Sequence, residues 1–223
     1  MIEPVPLSRR VTAAALAAVG WLALALQLWI MLRNAAVAGT SLLGAVGSFL
    51  SFFTVLTNLL VALGLTATIP AASPRGLGRL AAPPGAAALA GYITVVGVVY
   101  HLVLRQLWNP RGAQLVADVL LHTVMPLGYV LYWVAFVPKG RLGWSDVWPA
   151  LVFPALYTLA SMIRGALLHV YPYPFIDVGA LGYPAVLRNV VLLFAGFLVV
   201  SLAYIAIDRT MRAQPIPGPR RQT

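Results

Sequence analysis

The chain has 223 residues, 61% of them hydrophobic and 9% charged, with a mean hydropathy of +0.90. A soluble domain carries about a quarter charged residues, so this composition excludes one and calls for lipid as solvent. The net charge of +10 does not imply nucleic acid, because the basic residues are spread through short connections and tails, and the lack of cysteine excludes disulfides, thiolate metal sites and cysteine nucleophiles.

In chain order, Arg9 and Arg10 precede the first apolar run, residues 11–32. It is too long for the apolar core of a signal peptide and ends without a small-residue cleavage site, so it reads as a membrane helix. Five further runs follow, at residues 46–69, 86–108, 115–137, 147–170 and 187–207. The breaks between them are rich in Pro, Gly and charge, as turns are. The connection 171–184 holds three prolines and two glycines, which rules out a continuous helix there. The expected fold is all-α and polytopic: a tail at 1–10, a domain of six transmembrane helices at 11–208, and a cytoplasmic, disordered tail at 209–223.

Orientation follows from the basic residues. Arg9 and Arg10, then Arg75 and Arg79, then Lys139 and Arg141, then Arg209, Arg212, Arg220 and Arg221 fall on alternate connections and so on one side. The opposite connections hold Arg33 and Arg111, with Arg188 at a helix start. Positive charge marks the cytoplasmic side, so both termini are expected there. The excess of Ala, Gly, Pro and Arg over Lys suggests a GC-rich bacterial genome and hence a bacterial cytoplasmic membrane.

Polar groups inside such helices are expensive and often functional. Thr54, His101, His122 and Arg164 come from four different runs, yet counting places all of them about 9–12 Å below the outer boundary. Asp118, Thr57, Asn58, Arg105, His169, Arg188 and Asn189 share that outer half. Two readings compete: a polar pocket open toward the outer leaflet, or interhelical hydrogen bonds that only hold the bundle. Asp118 and His122 stand four apart on one helix face, where the acid can fix the imidazole tautomer and make it a better base. His101 and Arg105 repeat that spacing as two cations, which disfavours a charged His101. His169 is shallow and reads as an exposed or capping residue. A lone membrane threonine usually bonds its own backbone. Three histidines with one nearby acid form no paired-ligand motif, and no phosphate loop, HExxH or Gly-x-Ser-x-Gly elbow is present, so no metal or cofactor is expected.

Two segments, Phe49-Leu-Ser-Phe-Phe-Thr54-Val-Leu-Thr-Asn58-Leu-Leu and Ala117-Asp118-Val-Leu-Leu-His122-Thr-Val-Met-Pro126, together resemble the androgen-induced/androgen-dependent membrane protein family, including its bacterial branch. Tyr173-Pro174-Phe175 matches a Tyr-Pro-Phe at the equivalent place, and the resemblance covers the second to sixth runs. It implies a six-helix fold and hydrolysis of fatty acid esters of hydroxy fatty acids by an intramembrane threonine and histidine. Those two fall on Thr54 and His122, with Thr57 a rival for the threonine.

The resulting expectation is a lipid-ester hydrolase acting on a membrane lipid or lipid-like ester. Thr54 is the nucleophile, His122 the base and Asp118 its orienting partner. Asn58 or His101 is the candidate donor to the oxyanion, and Arg164 or Arg188 the candidate partner of a substrate carboxylate. The alternatives are a transporter or binding protein that uses the same pocket without chemistry, and a structural or sensory membrane protein.

Overall fold

The computed structural model describes residues 5–70 and 76–211. Arg75, Arg212, Arg220 and Arg221, and most of the expected C-terminal tail, lie outside the described residues. The described chain is helical, with no strand. Five helical stretches are long and apolar enough to cross a membrane: Leu7–Val37, Pro83–Leu107, Ala113–Phe136, Trp144–Leu168 and Val178–Thr210. A sixth is a bent pair.

The first helix, α1 (Leu7–Val37), starts inside the expected N-terminal tail, so Arg9 and Arg10 belong to its first turns. Arg9 is buried there. Its Nε donates to Tyr132 Oη at 3.2 Å and its Nη2 to the Ala81 carbonyl at 3.3 Å.

The second run departs from the expected single helix. It divides into α2 (Leu42–Phe49) and α3 (Phe53–Thr68), bent by 74°. Ser51 shows why the helix stops. Its hydroxyl donates to the Ser48 carbonyl at 2.7 Å, and its own carbonyl accepts from Tyr157 Oη at 2.8 Å. A hydroxyl that bonds the backbone competes with the helical ladder, and Tyr157, from a distant helix, satisfies the carbonyl so released. Irregular backbone at membrane depth survives only with such internal partners. Beyond the break Phe53 is locked among Tyr92, Phe153, Tyr157 and Phe197.

After the short α4 (Gly78–Ala81) comes α5 (Pro83–Val99), which runs into a π turn (Tyr100–Leu104) and a 3-10 turn (Arg105–Leu107). The next span is α6 (Ala113–Val119), a π turn (Leu120–Val124) and α7 (Met125–Phe136). Then come α8 (Val147–Leu168) and α9 (Val178–Thr210), with a non-helical Gly182 at φ 73°. The 171–184 connection is thus irregular only in part, since α9 begins at Val178.

The core lies where α1, α3, α5, α7 and α9 meet, around Ala13, Leu65, Ile93, Met125 and Trp133. Trp21, Trp29, Trp108, Trp144 and Trp148 are exposed, as side chains against lipid or its interface are. At one end of the bundle Asp208 is almost fully buried, and its Oδ2 accepts from the backbone N–H of Arg141 and of Leu142, each at 2.9 Å. Arg9 and Arg10 tie the start of α1 to that same end through Tyr132, Ala81 and Ile69.

Candidate functional site

At the other end, the bend before Phe53 puts Thr54 on the first turn of α3. The first N–H groups of a helix have no intrahelical acceptor, and no side chain of the N-cap residue Phe52 takes their place. The Thr54 N–H donates instead to Tyr173 Oη at 3.3 Å, and the two hydroxyl oxygens lie 3.4 Å apart. Tyr173 reaches this point because α8 ends on His169 in the left-handed region (φ 54°) and the chain folds back. The Tyr171 ring then packs directly onto Gly165, where a Cβ would stand 1.9 Å from it. Burial raises the Tyr173 phenol above its ordinary pKa, so it is an O–H donor at neutral pH.

His122 sits in the π turn of the Ala113–Phe136 span. Pro126 has no N–H to offer the carbonyl four residues earlier, which is that of His122. The backbone widens there, and the Met125 N–H bonds to the Leu120 carbonyl five residues back. The His122 Nδ1 lies 3.0 Å from the Asp118 carbonyl oxygen and 3.2 Å from Asp118 Oδ1. The hydrogen-bond direction favours the carbonyl, which leaves Oδ1 in charge contact only. A carbonyl can only accept, so in the neutral ring Nδ1 carries the proton and Nε2 is the free base. Tyr100 completes the arrangement. Its ring stacks on His122 with centroids 4.0 Å apart, and its hydroxyl donates to Asp118 Oδ2. Both partners come from π turns, features often found at functional sites.

Thr54, Asp118, His122, Tyr100 and Tyr173 line one cavity of about 440 Å³. Its remaining wall is mostly apolar, with Met31, Phe52 and Leu107 among it, and carries Gln27 and Gln114, whose side chains bond each other at 2.8 Å. No hydrogen bond joins Thr54 to His122: the threonine faces Tyr173 and the imidazole faces Asp118.

The other expected site residues are not on this wall. Asn58 is fully buried, and its Nδ2 donates to the Thr54 carbonyl at 2.9 Å and the Leu121 carbonyl at 3.3 Å. It is a tie between α3 and the π turn, with no donor left over for an oxyanion in the cavity. His101 is exposed and bonds Thr123 Oγ1 at 3.1 Å. Arg164 donates to the Val170 carbonyl at 2.8 Å, capping the end of α8, and Arg188 is exposed on α9. Position along a run does not fix the face, so of the four groups expected at one level Thr54 and His122 line the cavity and His101 and Arg164 do not. Thr57 is fully buried and off the wall. Among the described residues no three His, Asp or Glu side chains gather as metal ligands.

Tyr100, Tyr173, Gln27 and Gln114 were not singled out from the sequence as site residues. Tyr173 had one signal, the Tyr-Pro-Phe match. The glutamines had another, as uncharged polar side chains within apolar runs. No family model, curated protein or solved structure matches the chain.

Proposed function

We propose that the chain is an integral membrane hydrolase of lipid esters, with Thr54 as nucleophile and His122 as base. The observation that carries this reading is the common cavity: a threonine hydroxyl at a helix N-terminus and an imidazole with a free Nε2 line the same wall. Thr54 Oγ1 attacks the ester carbonyl and passes its proton to His122 Nε2. His122 returns that proton to the leaving alcohol, and a water deprotonated by His122 then cleaves the acyl-threonine. Asp118, held by Tyr100, stabilises the imidazolium. Tyr173 Oη and the Thr54 N–H are the donors beside the nucleophile, so they take the oxyanion role expected of Asn58 or His101. Substrate must part Thr54 from Tyr173. Catalytic hydrogen bonds are commonly loose before substrate binds, so the missing Thr54–His122 bond does not count against the pair.

In this reading the bent α2–α3 pair is one broken crossing, which makes six in all. Both termini are cytoplasmic, in a bacterial cytoplasmic membrane, and the cavity lies toward the outer leaflet. A fluorophosphonate lipid probe tests the chemistry: the modified residue, located by peptide mass spectrometry, is Thr54. Labelling that persists in Thr54→Ala assigns the nucleophile to another residue, and none in the folded protein favours a pocket that binds or transports lipid without cleaving it.

A further inference from the structure

We infer that the ester this site takes is uncharged and carries free hydroxyls on its alcohol part, the chemistry of a monoacylglycerol. The inference rests on the hydrolase reading and names its substrate class. Gln114, Asp118 and His122 recur at four-residue spacing, so they stand in a row on one face of the α6 span. His122 must lie beside the leaving oxygen to protonate it. The alcohol part then extends from His122 along that row, toward the outer end where Gln114 meets Gln27 of α1.

That amide pair is chemically specific. Gln114 Nε2 donates to Gln27 Oε1, which leaves the Gln27 amide N–H groups and the Gln114 carbonyl oxygen uncommitted. With the second Gln114 N–H, three free donors stand beside that free acceptor, and a hydroxyl can both accept from one and donate to the other. A carboxylate only accepts, so it leaves the Gln114 oxygen unpaired and meets Asp118, the one acid on the wall. The arginines expected to hold a carboxylate are elsewhere, Arg164 on the Val170 carbonyl and Arg188 exposed on α9. A polyol offers free hydroxyls toward that pair, where a simple alcohol offers none. The apolar wall of Met31, Phe52 and Leu107 receives the acyl chain. The reaction balances as ester plus water giving fatty acid plus polyol.

The test compares three oleate esters with the purified full chain in one nonionic detergent: glyceryl monooleate, methyl oleate and the oleate ester of a hydroxystearic acid. The expected kcat/KM for the glyceryl ester exceeds both others by about tenfold or more, well inside the factor by which a site built for a hydroxyl rejects analogues lacking it. Gln27→Leu and Gln114→Leu each bring the glyceryl-to-methyl ratio toward one, and Gln27→Met repeats the loss if either leucine variant melts early. Equal turnover of all three, or faster cleavage of the carboxylate-bearing ester, overturns the substrate class and leaves the hydrolase reading standing. No turnover of any ester, or turnover that survives Thr54→Ala, overturns both.

Discussion

At the scale of single residues, Thr54 and His122 form a unit only if they act on the same bond. A threonine hydroxyl is a weak nucleophile without a base, and the base has nothing to activate without it. Thr54→Ala and His122→Ala should therefore each abolish most turnover, by similar factors, and the double variant should be little worse than either. Thr57 separates this from general loosening of the helix: its side chain is fully buried and its hydroxyl has no partner, so Thr57→Ala or Thr57→Val removes no cavity group and should cost little activity. Tyr173→Phe keeps the ring that stacks on Phe175 and removes only the hydroxyl beside Thr54. Loss of one oxyanion donor costs on the order of a hundredfold in kcat, with little change in KM. Steady-state kinetics on these variants, with the melting midpoint of each, decides these points. Wild-type turnover in a folded His122→Ala removes the mechanism.

At the scale of elements, the site depends on three irregular joints: the bend before α3 and the two π turns. Asn58 couples two of them, because its amide bonds a carbonyl on each side. Asn58→Leu keeps the volume and removes both bonds. A displacement of about 1 Å between nucleophile and base can cost 10²-fold, so kcat should fall by about that factor while the acyl chain still binds and KM holds. A fall in KM affinity equal to the fall in kcat would mean the tie shapes the cavity rather than the pair. The joints also mark where sequence reading stops. The apolar runs, their order and their ends near residues 108 and 137 are legible because lipid imposes length and composition on any crossing, whereas the first helix runs on from the expected 32 to Val37. The break at Ser51 is not, because a carbonyl supplied by Tyr157 from more than a hundred residues away has no local signature. The Asp118–His122 contact is legible because it lies within one helix turn. Tyr100 stacked on His122, and Tyr173 on Thr54, are contacts between distant runs, and spacing along one helix says nothing about them. For the same reason counting along a run does not say which way His101 and Arg164 face.

At the scale of the whole molecule, the two ends of the bundle differ in chemistry. The cavity end carries the uncharged donors, the imidazole and Asp118, with Arg33, Arg105, Arg111, Arg164 and Arg188 around it. The opposite end gathers Arg9, Arg10, Arg79, Lys139, Arg141 and Arg209, drawn from the start of α1, from α4, from the α7–α8 connection and from the end of α9. Buried Asp208 clamps the end of α9 to the α7–α8 connection through two backbone N–H groups, and Arg9 holds the start of α1 to Tyr132 near the end of α7. Those contacts put the start of α1 and the end of α9 on one face whichever way the bundle inserts. The positive charge then selects the side, since short basic connections stay in the cytoplasm. A C-terminal green fluorescent protein fusion should therefore fluoresce, and a C-terminal alkaline phosphatase fusion should be inactive, in a bacterial host. Inserting alkaline phosphatase in the connection between α6 and the 3-10 turn before it, beside Arg111, should give the opposite result. Removing the cytoplasmic charges tests the cause as well as the outcome: neutralising Arg79, Lys139 and Arg141 together should yield a mixed population, seen as activity from both phosphatase reporters. An active C-terminal phosphatase in the unaltered chain would reverse the orientation and place the cavity, with its Thr54–His122 pair, toward the cytoplasmic leaflet.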